Sequence, residues 1–309
     1  MGTVFLYAGQ GSQRVGMGKD FYDGYETYRN FIDSLTLDFD IKELMHEGPE
    51  DKLSLTEYTQ PCMAAFAAGV TALLKENGVT PDAACGLSLG EYGALHAAGV
   101  FDAKTFVDLV AYRGKVMADA AKGLECSMSA ILGTDSQTIE EACRAYEGDD
   151  YVTVANYNCP GQTVICGDES AVAAVEEVLK EKGAKRCVRL KVSGPFHTKY
   201  MAPAADLLGE RLAEISLKAP SIPVSANVTG DFYQDGDDIR GILMRQIQSS
   251  VRLEDDLKKL LEAGYTDFIE IGPGNTMSGF LKKTARAAGA KVTIRGIDKA
   301  EDLEKIIAG

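Results

Sequence analysis

Short runs of apolar and β-branched residues alternate along the chain with longer stretches in which apolar side chains recur every three or four positions. TVFLY (3–7) predicts a strand, and the Ala-rich residues 61–76 and the periodic residues 101–121 predict helices. A strand, a turn, a helix and a further strand are predicted over residues 267–297. This alternation favours an α/β fold.

The middle of the chain has a different pattern. Its predicted elements are, in order, strand 127–132, helix 137–147, strand 151–156, turn 157–161, strand 162–167, helix 169–183 and strand 184–192. The order βαββαβ is ferredoxin-like. We therefore predict a small domain at residues 125–191, inserted into a large α/β domain formed by residues 1–124 and 192–309.

Composition excludes several classes of function. The 309 residues carry 32 basic and 46 acidic side chains, and the net charge of −14 disfavours non-specific nucleic-acid binding. No window approaches the roughly 20 apolar residues that span a bilayer, so we expect no membrane association. The seven cysteines are scattered and form no CxxC pair, which is typical of reduced thiols in a cytoplasmic protein. The N-terminal residues show no secretory signal pattern.

The stretch CGLSLGEYGAL (85–95) places Ser88 between Gly86 and Gly90. A G-x-S-x-G sequence between a strand and a helix is typical of a nucleophile elbow, in which a sharp turn exposes the serine hydroxyl. The following helix would point its N-terminus at the serine and favour an oxyanion there. A plain strand-to-helix turn is the alternative.

A serine nucleophile needs a base, and the chain has three histidines. His96 follows Ser88 by eight residues on the same predicted helix, roughly 12 Å away along the axis. His46 lies in a stretch that we predict to be a polar surface loop. His197 follows a predicted strand in KVSGPFHTKYM (191–201), so elimination favours His197 as the base. No acidic residue is evident as its partner, and a backbone or amide carbonyl could orient the imidazole instead.

Arg113 lies on the apolar stripe of the helix predicted over 101–121. Its companions on that stripe are Phe106, Leu109, Val110, Val116 and Met117. A charged group facing a core is costly unless it is paired. Arg113 could form a buried structural salt bridge, or it could clamp a substrate carboxylate with its planar fork.

The loop AGQGSQ (8–13) is glycine-rich, but its spacing fits neither a dinucleotide fingerprint nor a phosphate-binding P-loop. A better interpretation is that it supplies a backbone N–H donor beside the elbow, because an oxyanion hole needs a second donor. An ordinary βα turn remains the alternative.

Several motifs, in order along the whole chain, resemble the malonyl-CoA:acyl-carrier-protein transacylase family of fatty-acid synthesis. They are AGQGSQ, LTEYTQP, GLSLGEYGAL, YRGKVM, VANYNCPGQTVI, SGPFHTKYM and EIGPGNTMSG. The resemblance implies an α/β-hydrolase-like large domain with a mostly parallel sheet and an inserted ferredoxin-like domain. The chain departs from residues common in the family at Leu87, Ser250, Leu253 and Asn275.

By position, the resemblance implies Ser88 as the nucleophile, His197 as the base and Arg113 as the clamp for the malonyl carboxylate. It implies an oxyanion hole formed by the backbone N–H groups of Gln10 and Leu89. Gln246 corresponds to a family glutamine near the carbonyl that orients the histidine. Phe196, directly before His197, resembles the residue of malonyl-specific members, where a smaller side chain accompanies methylmalonyl.

The resemblance further implies ping-pong transfer from malonyl-CoA to acyl carrier protein, with no metal or other cofactor, in a protein that we expect to be a monomer. The alternatives are a serine esterase or thioesterase, an acyltransferase for another extender unit, and a non-catalytic interaction subunit. Two basic clusters could receive an acidic carrier protein or could be ordinary solvated faces. They are a small-domain cluster (Lys185, Arg186, Arg189, Lys191) and a C-terminal cluster (Lys282, Lys283, Arg286).

Overall fold

A computed structural model describes residues 2–191 and 194–308 of the chain. The strands are β1 (Thr3–Tyr7), β2 (Ala83–Gly86), β3 (Cys126–Leu132), β4 (Val152–Cys159), β5 (Gln162–Asp168), β6 (Arg186–Arg189), β7 (Ser225–Ala226), β8 (Asp231–Phe232), β9 (Asp267–Ile271) and β10 (Thr293–Ile297). The predicted domain junction after residue 191 and the end of the strand predicted over 184–192 both involve residue 192, which lies outside the described ranges.

Helices account for most of the remaining described residues. They are α1 (Lys19–Gly24), α2 (Glu26–Ser34), α3 (Ile41–Glu47), α4 (Glu50–Leu53), α5 (Thr56–Glu76), α6 (Leu89–Ala97), α7 (Ala103–Ala121), α8 (Ser136–Arg144), α9 (Glu169–Glu181), α10 (Ala202–Ala213), α11 (Ile239–Gln246), α12 (Leu253–Glu262), α13 (Thr276–Ala287) and α14 (Ala300–Ile307). Within the described ranges, none of these helices is both long and apolar enough to cross a membrane.

The first sheet is parallel and has the strand order β10-β9-β1-β2. Its register pairs Tyr7 with Gly86 on one side and with Ile271 on the other, so the carboxyl ends of these strands share one edge. Successive residues of β1 face two different apolar clusters, with Phe5 in one and Leu6 in the other. The predicted mixed α/β fold with a parallel sheet is therefore confirmed.

The second sheet is antiparallel and has the strand order β4-β5-β3-β6. Helices α8 and α9 complete the predicted βαββαβ order. Ile131 belongs to an apolar cluster of its own with side chains from α8 and α9, whereas its neighbour Ala130 belongs to the large cluster shared with the parallel sheet. One face of the antiparallel sheet thus packs in a separate apolar cluster with α8 and α9, and its other face packs against the rest of the molecule.

Three local predictions need correction. Helix α5 begins at Thr56, five residues before Pro61, although proline is favoured in the first turn of a helix. Strand β4 continues to Cys159 with two irregularities in its register, so the turn predicted over 157–161 shortens to Pro160 and Gly161. His46 lies on helix α3 and is only 9% exposed, so the predicted polar surface loop is wrong.

Candidate active site

Ser88 occupies a strained turn between β2 and α6. Its φ of 56° and ψ of −105° are unfavourable for a residue with a side chain. A Cβ atom added at Gly86 would lie 2.0 Å from the carbonyl carbon of Gly90, and one added at Gly90 would lie 2.3 Å from the carbonyl oxygen of Tyr7. Only glycine fits at these two positions, which accounts for the G-x-S-x-G spacing.

The structure brings His197 to the elbow. Its Nε2 lies 2.9 Å from Ser88 Oγ, and its Nδ1 lies 2.8 Å from the main-chain oxygen of Gln246. A carbonyl oxygen can only accept, so this contact assigns the imidazole proton to Nδ1 and leaves Nε2 to accept from the serine. The histidine favoured by elimination thus lies against Ser88, its role as the base stays a prediction, and a carbonyl occupies the position where a triad has its acid.

Backbone strain is concentrated at this pair. Ser88 and His197, with φ values of 56° and 61°, are the non-glycine residues with positive φ in the described part of the chain. Such conformations cost about 1–3 kcal/mol each and persist where the surroundings enforce them. Holding these two side chains against each other therefore lowers the free energy of unfolding.

The surroundings of His197 favour its neutral form. Burial, followed by the nearby positive charge of Arg113, lowers the pKa of His197 to about 4. The imidazole is therefore neutral at pH 7, as a general base requires.

The other histidines are occupied elsewhere. His96 lies near the far end of α6, with its Nδ1 3.1 Å from the carbonyl oxygen of Phe101, and burial lowers its pKa to about 4. The ring of His46 packs edge-on against Tyr22, and burial lowers its pKa as well. Both side chains belong to the packing of their own helices.

Arg113 is fully buried on α7, and its guanidinium reaches the nucleophile. Its Nη2 donates to Ser88 Oγ and to Gln246 Oε1, both at 2.9 Å, and its Nη1 donates to Gln60 Oε1 at 2.7 Å. The guanidinium carbon also lies 5.3 Å from the centre of the Tyr92 ring.

These partners bear on the salt-bridge interpretation of Arg113. No carboxylate lies within 4.0 Å of its nitrogens in the part of the chain that the structure describes, so the structural salt bridge is excluded there. A buried cation that donates to neutral oxygens is suited to exchange them for a carboxylate, because charge-assisted bonds are stronger. The site therefore brings together a strained serine, a buried imidazole and a buried cation.

The predicted oxyanion donors lie on neighbouring segments. Gln10 follows β1 and Leu89 begins α6, and both segments leave the same edge of the parallel sheet. The Gln10 side chain is fixed by donation from its Nε2 to Thr56 Oγ1 at 3.0 Å, and Leu87 N donates to Tyr7 O at 3.1 Å between the two loops. The convergence of the two backbone N–H groups on one oxygen stays a prediction.

Phe196, the predicted specificity residue, is 5% exposed and belongs to the large apolar cluster. It directly precedes His197 in the chain. Core packing and a filter for the substrate are both compatible with this position.

Sequence reasoning missed Asn227, whose side chain binds the main chain of the elbow. Its Oδ1 accepts from Ser88 N at 2.7 Å, and its Nδ2 donates to Gly86 O at 2.8 Å. The side chain is fully buried and satisfies a main-chain donor and a main-chain acceptor of the turn. The only sequence signal for this role of Asn227 is an amide side chain directly after the short run PVSA. Gln60, within the LTEYTQP motif, was missed in the same way.

Comparisons with known proteins identify the family of the chain. A family model described as an acyl transferase domain matches residues 4–304. Malonyl CoA-acyl carrier protein transacylase of Bacillus subtilis (strain 168) is 42% identical over 286 residues, which are 92% of this chain and 90% of that protein. The homologue of Staphylococcus aureus (strain MRSA252) is 36% identical over 305 residues, 98% of this chain and 97% of that protein.

Solved structures give the same result. The crystal structure of MCAT from Streptococcus pneumoniae has a TM-score of 0.92 and 42% identity, covering 99% of both chains. A type II PKS acyl-carrier protein in complex with its malonyl-transacylase has a TM-score of 0.94 and 33% identity, covering 100% of this chain and 99% of that one. The chain belongs to the malonyl-CoA:acyl-carrier-protein transacylase family of acyl transferases.

Proposed function

We propose that this protein transfers a malonyl group from malonyl-CoA to the phosphopantetheine thiol of an acyl carrier protein. Membership of the family supports the transfer reaction. One contact supports malonyl as the acyl group. Arg113 Nη2 lies 2.9 Å from Ser88 Oγ, so a carboxylate bound by the guanidinium is held close to the attacked carbon. Malonyl carries its carboxylate one methylene away from the thioester carbonyl.

In the first half-reaction, His197 Nε2 takes the hydroxyl proton of Ser88 and Ser88 Oγ attacks the thioester carbonyl carbon. Arg113 exchanges its bonds to Ser88 and Gln246 for bonds to the malonyl carboxylate. The C–S bond then breaks, the CoA sulfur takes the proton from His197, and a malonyl-serine ester remains.

In the second half-reaction, the phosphopantetheine thiol gives its proton to His197 and attacks the ester carbonyl. The C–O bond breaks, the proton returns to Ser88 Oγ, and the malonyl thioester leaves on the carrier protein. We assign the backbone N–H groups of Gln10 and Leu89 to the oxyanion in both half-reactions. The thioester is already activated, so the residues of the chain account for each proton transfer without a metal or other cofactor.

The fold proposal follows from the two sheets. We propose an α/β-hydrolase-like large domain of residues 1–124 and 192–309 and a ferredoxin-like small domain of residues 125–191. The small domain is supported by the strand order β4-β5-β3-β6 and by the separate apolar cluster with α8 and α9. We also propose a cytoplasmic location, which the seven free cysteines support.

A thioesterase is the second candidate, because it shares the elbow and the base. Release of CoA separates the two functions. With malonyl-CoA alone, a transferase releases about one equivalent and stops, whereas holo carrier protein sustains the release and becomes malonylated. Apo carrier protein, which lacks the thiol, is the matched control. Sustained release of CoA and free malonate without carrier protein would overturn the proposal in favour of hydrolysis.

A further inference from the structure

Glu91 is a fully buried carboxylate in the first turn of α6, three residues after the nucleophile. Its Oε2 accepts from Gln246 Nε2 at 2.7 Å and from Asn227 N at 3.1 Å, and its Oε1 accepts from the hydroxyl of Tyr233. Complementing the helix dipole needs no such burial and no such partners. The arrangement therefore requires another explanation.

The two partners of Oε2 hold the reacting groups. Asn227 brackets the elbow through Ser88 N and Gly86 O, as described above. Gln246 orients His197 with its main-chain oxygen, accepts from Arg113 with Oε1, and donates to Ser88 O from Nε2 at 2.9 Å. One carboxylate oxygen thus connects the residue that holds the nucleophile with the residue that holds the base and the cation.

We propose that Glu91 is a positioning residue that holds Asn227 and Gln246 so that the nucleophile, the base and the cation keep their relative geometry. This inference rests on the proposed function and deepens it. Glu91 touches no substrate atom. In a Ser-His-Asp triad, a carboxylate binds the histidine directly. Here Glu91 acts on His197 indirectly, through Gln246.

The donors explain why the position needs an acceptor of this length. The backbone N–H of Asn227 and the side-chain NH₂ of Gln246 can only donate, and both are buried, so each needs an oxygen within reach. Tyr233 can donate or accept through its hydroxyl. Glutamine at position 91 can therefore satisfy all three partners, with its amide oxygen facing the two N–H donors and its NH₂ group facing the tyrosine.

The experiment compares Glu91→Gln with Glu91→Asp. Glutamine keeps the length of the side chain and loses the acidic group, whereas aspartate keeps the acidic group on a shorter side chain. The readout is the rate of labelling of Ser88 by a neutral fluorophosphonate, with Tm measured alongside. We expect Glu91→Gln to stay within about 10-fold of the wild type. We expect Glu91→Asp to be at least about 10-fold slower than Glu91→Gln, because small displacements of reacting groups are costly.

Glu270 offers a matched control. It is also fully buried and accepts two hydrogen bonds, from Met277 N at 3.0 Å and Ser278 N at 2.8 Å, at the start of α13. Glu270→Asp should lower Tm while labelling of Ser88 keeps the wild-type rate.

The proposal is overturned if Glu91→Asp is labelled as fast as Glu91→Gln or faster, or if Glu270→Asp slows labelling to the same degree. If Glu91→Asp fails to fold, Glu91→Gln decides alone, and loss of its labelling contradicts a positioning role. Absence of labelling at Ser88 in the wild type would instead contradict the proposed function.

Discussion

Substitution of Arg113 by alanine removes the guanidinium that donates to Gln60, Ser88 and Gln246. The pocket then has no cation for a substrate carboxylate at this position. Malonyl-CoA and acetyl-CoA differ by that carboxylate, so their relative kcat/KM measures what Arg113 contributes.

The magnitude follows from the change of acceptor at Arg113. Its charged guanidinium donates to neutral oxygens of Ser88 and Gln246 in the free protein, and a malonyl carboxylate replaces them with a charged acceptor. By analogy with a buried ion pair, whose loss costs about 3–5 kcal/mol, the lower end of this range corresponds to about 10²-fold. We expect the wild type to prefer malonyl-CoA over acetyl-CoA by about this factor.

Competition kinetics with both thioesters provide the assay. Arg113→Ala should bring the preference to within about tenfold by slowing malonyl transfer, while acetyl transfer is unchanged or faster. Arg113→Lys, which keeps a charge but loses the planar fork, should lie between the two. A measured Tm excludes unfolding as the cause. An Arg113→Ala protein that retains the full preference would refute the clamp.

Three further predictions follow from the site and its surroundings. Because the charge of Arg113 helps to lower the pKa of His197 to about 4, the acid limb of Ser88 labelling by a neutral fluorophosphonate should lie near pH 4 and shift upward in Arg113→Ala; an unshifted limb contradicts the coupling. Phe196→Ser should raise the relative kcat/KM for methylmalonyl-CoA by about tenfold or more, since we expect a bulky ring at this position to crowd an α-methyl group; unchanged selectivity assigns Phe196 to packing alone. Charge reversal in the C-terminal basic cluster should raise the KM for carrier protein and spare acylation by malonyl-CoA, because those side chains are exposed on α13 and have no carboxylate within 4.0 Å in the described residues. Reversal in the small-domain basic cluster is the comparison, since Arg189 there already pairs with Glu169 and Glu176; equal effects on KM would contradict this choice.

Local sequence patterns were sufficient for the elements that local chemistry determines. The glycines around Ser88 follow from close contacts within one turn, and the stripe that carries Arg113 follows from helical spacing. His46 shows the limit of this reasoning. The polar residues around it suggested a loop, but Asp40 caps helix α3 by accepting from Glu43 N, and the apolar face of that helix is buried.

Contacts between distant segments were harder to predict. His197 was found because the chain has few histidines, although 109 residues separate it from Ser88. Gln246 was found through family resemblance alone, since a main-chain oxygen leaves no mark on residue type. Asn227 and the role of Glu91 were missed because their hydrogen bonds join segments more than 130 residues apart. Such bonds depend on how the two segments fold together.

The proposed mechanism requires a malonyl group carried by Ser88, and intact-mass analysis tests this directly. Wild type and Ser88→Ala are incubated with malonyl-CoA or acetyl-CoA and quenched in acid before their masses are measured. We predict that the wild type gains the mass of one malonyl group, gains far less acetyl, and loses the malonyl group when holo carrier protein is added. Ser88→Ala should fold with a similar Tm and gain no mass. A malonylated Ser88→Ala protein, or a wild type that never becomes malonylated, would contradict the account.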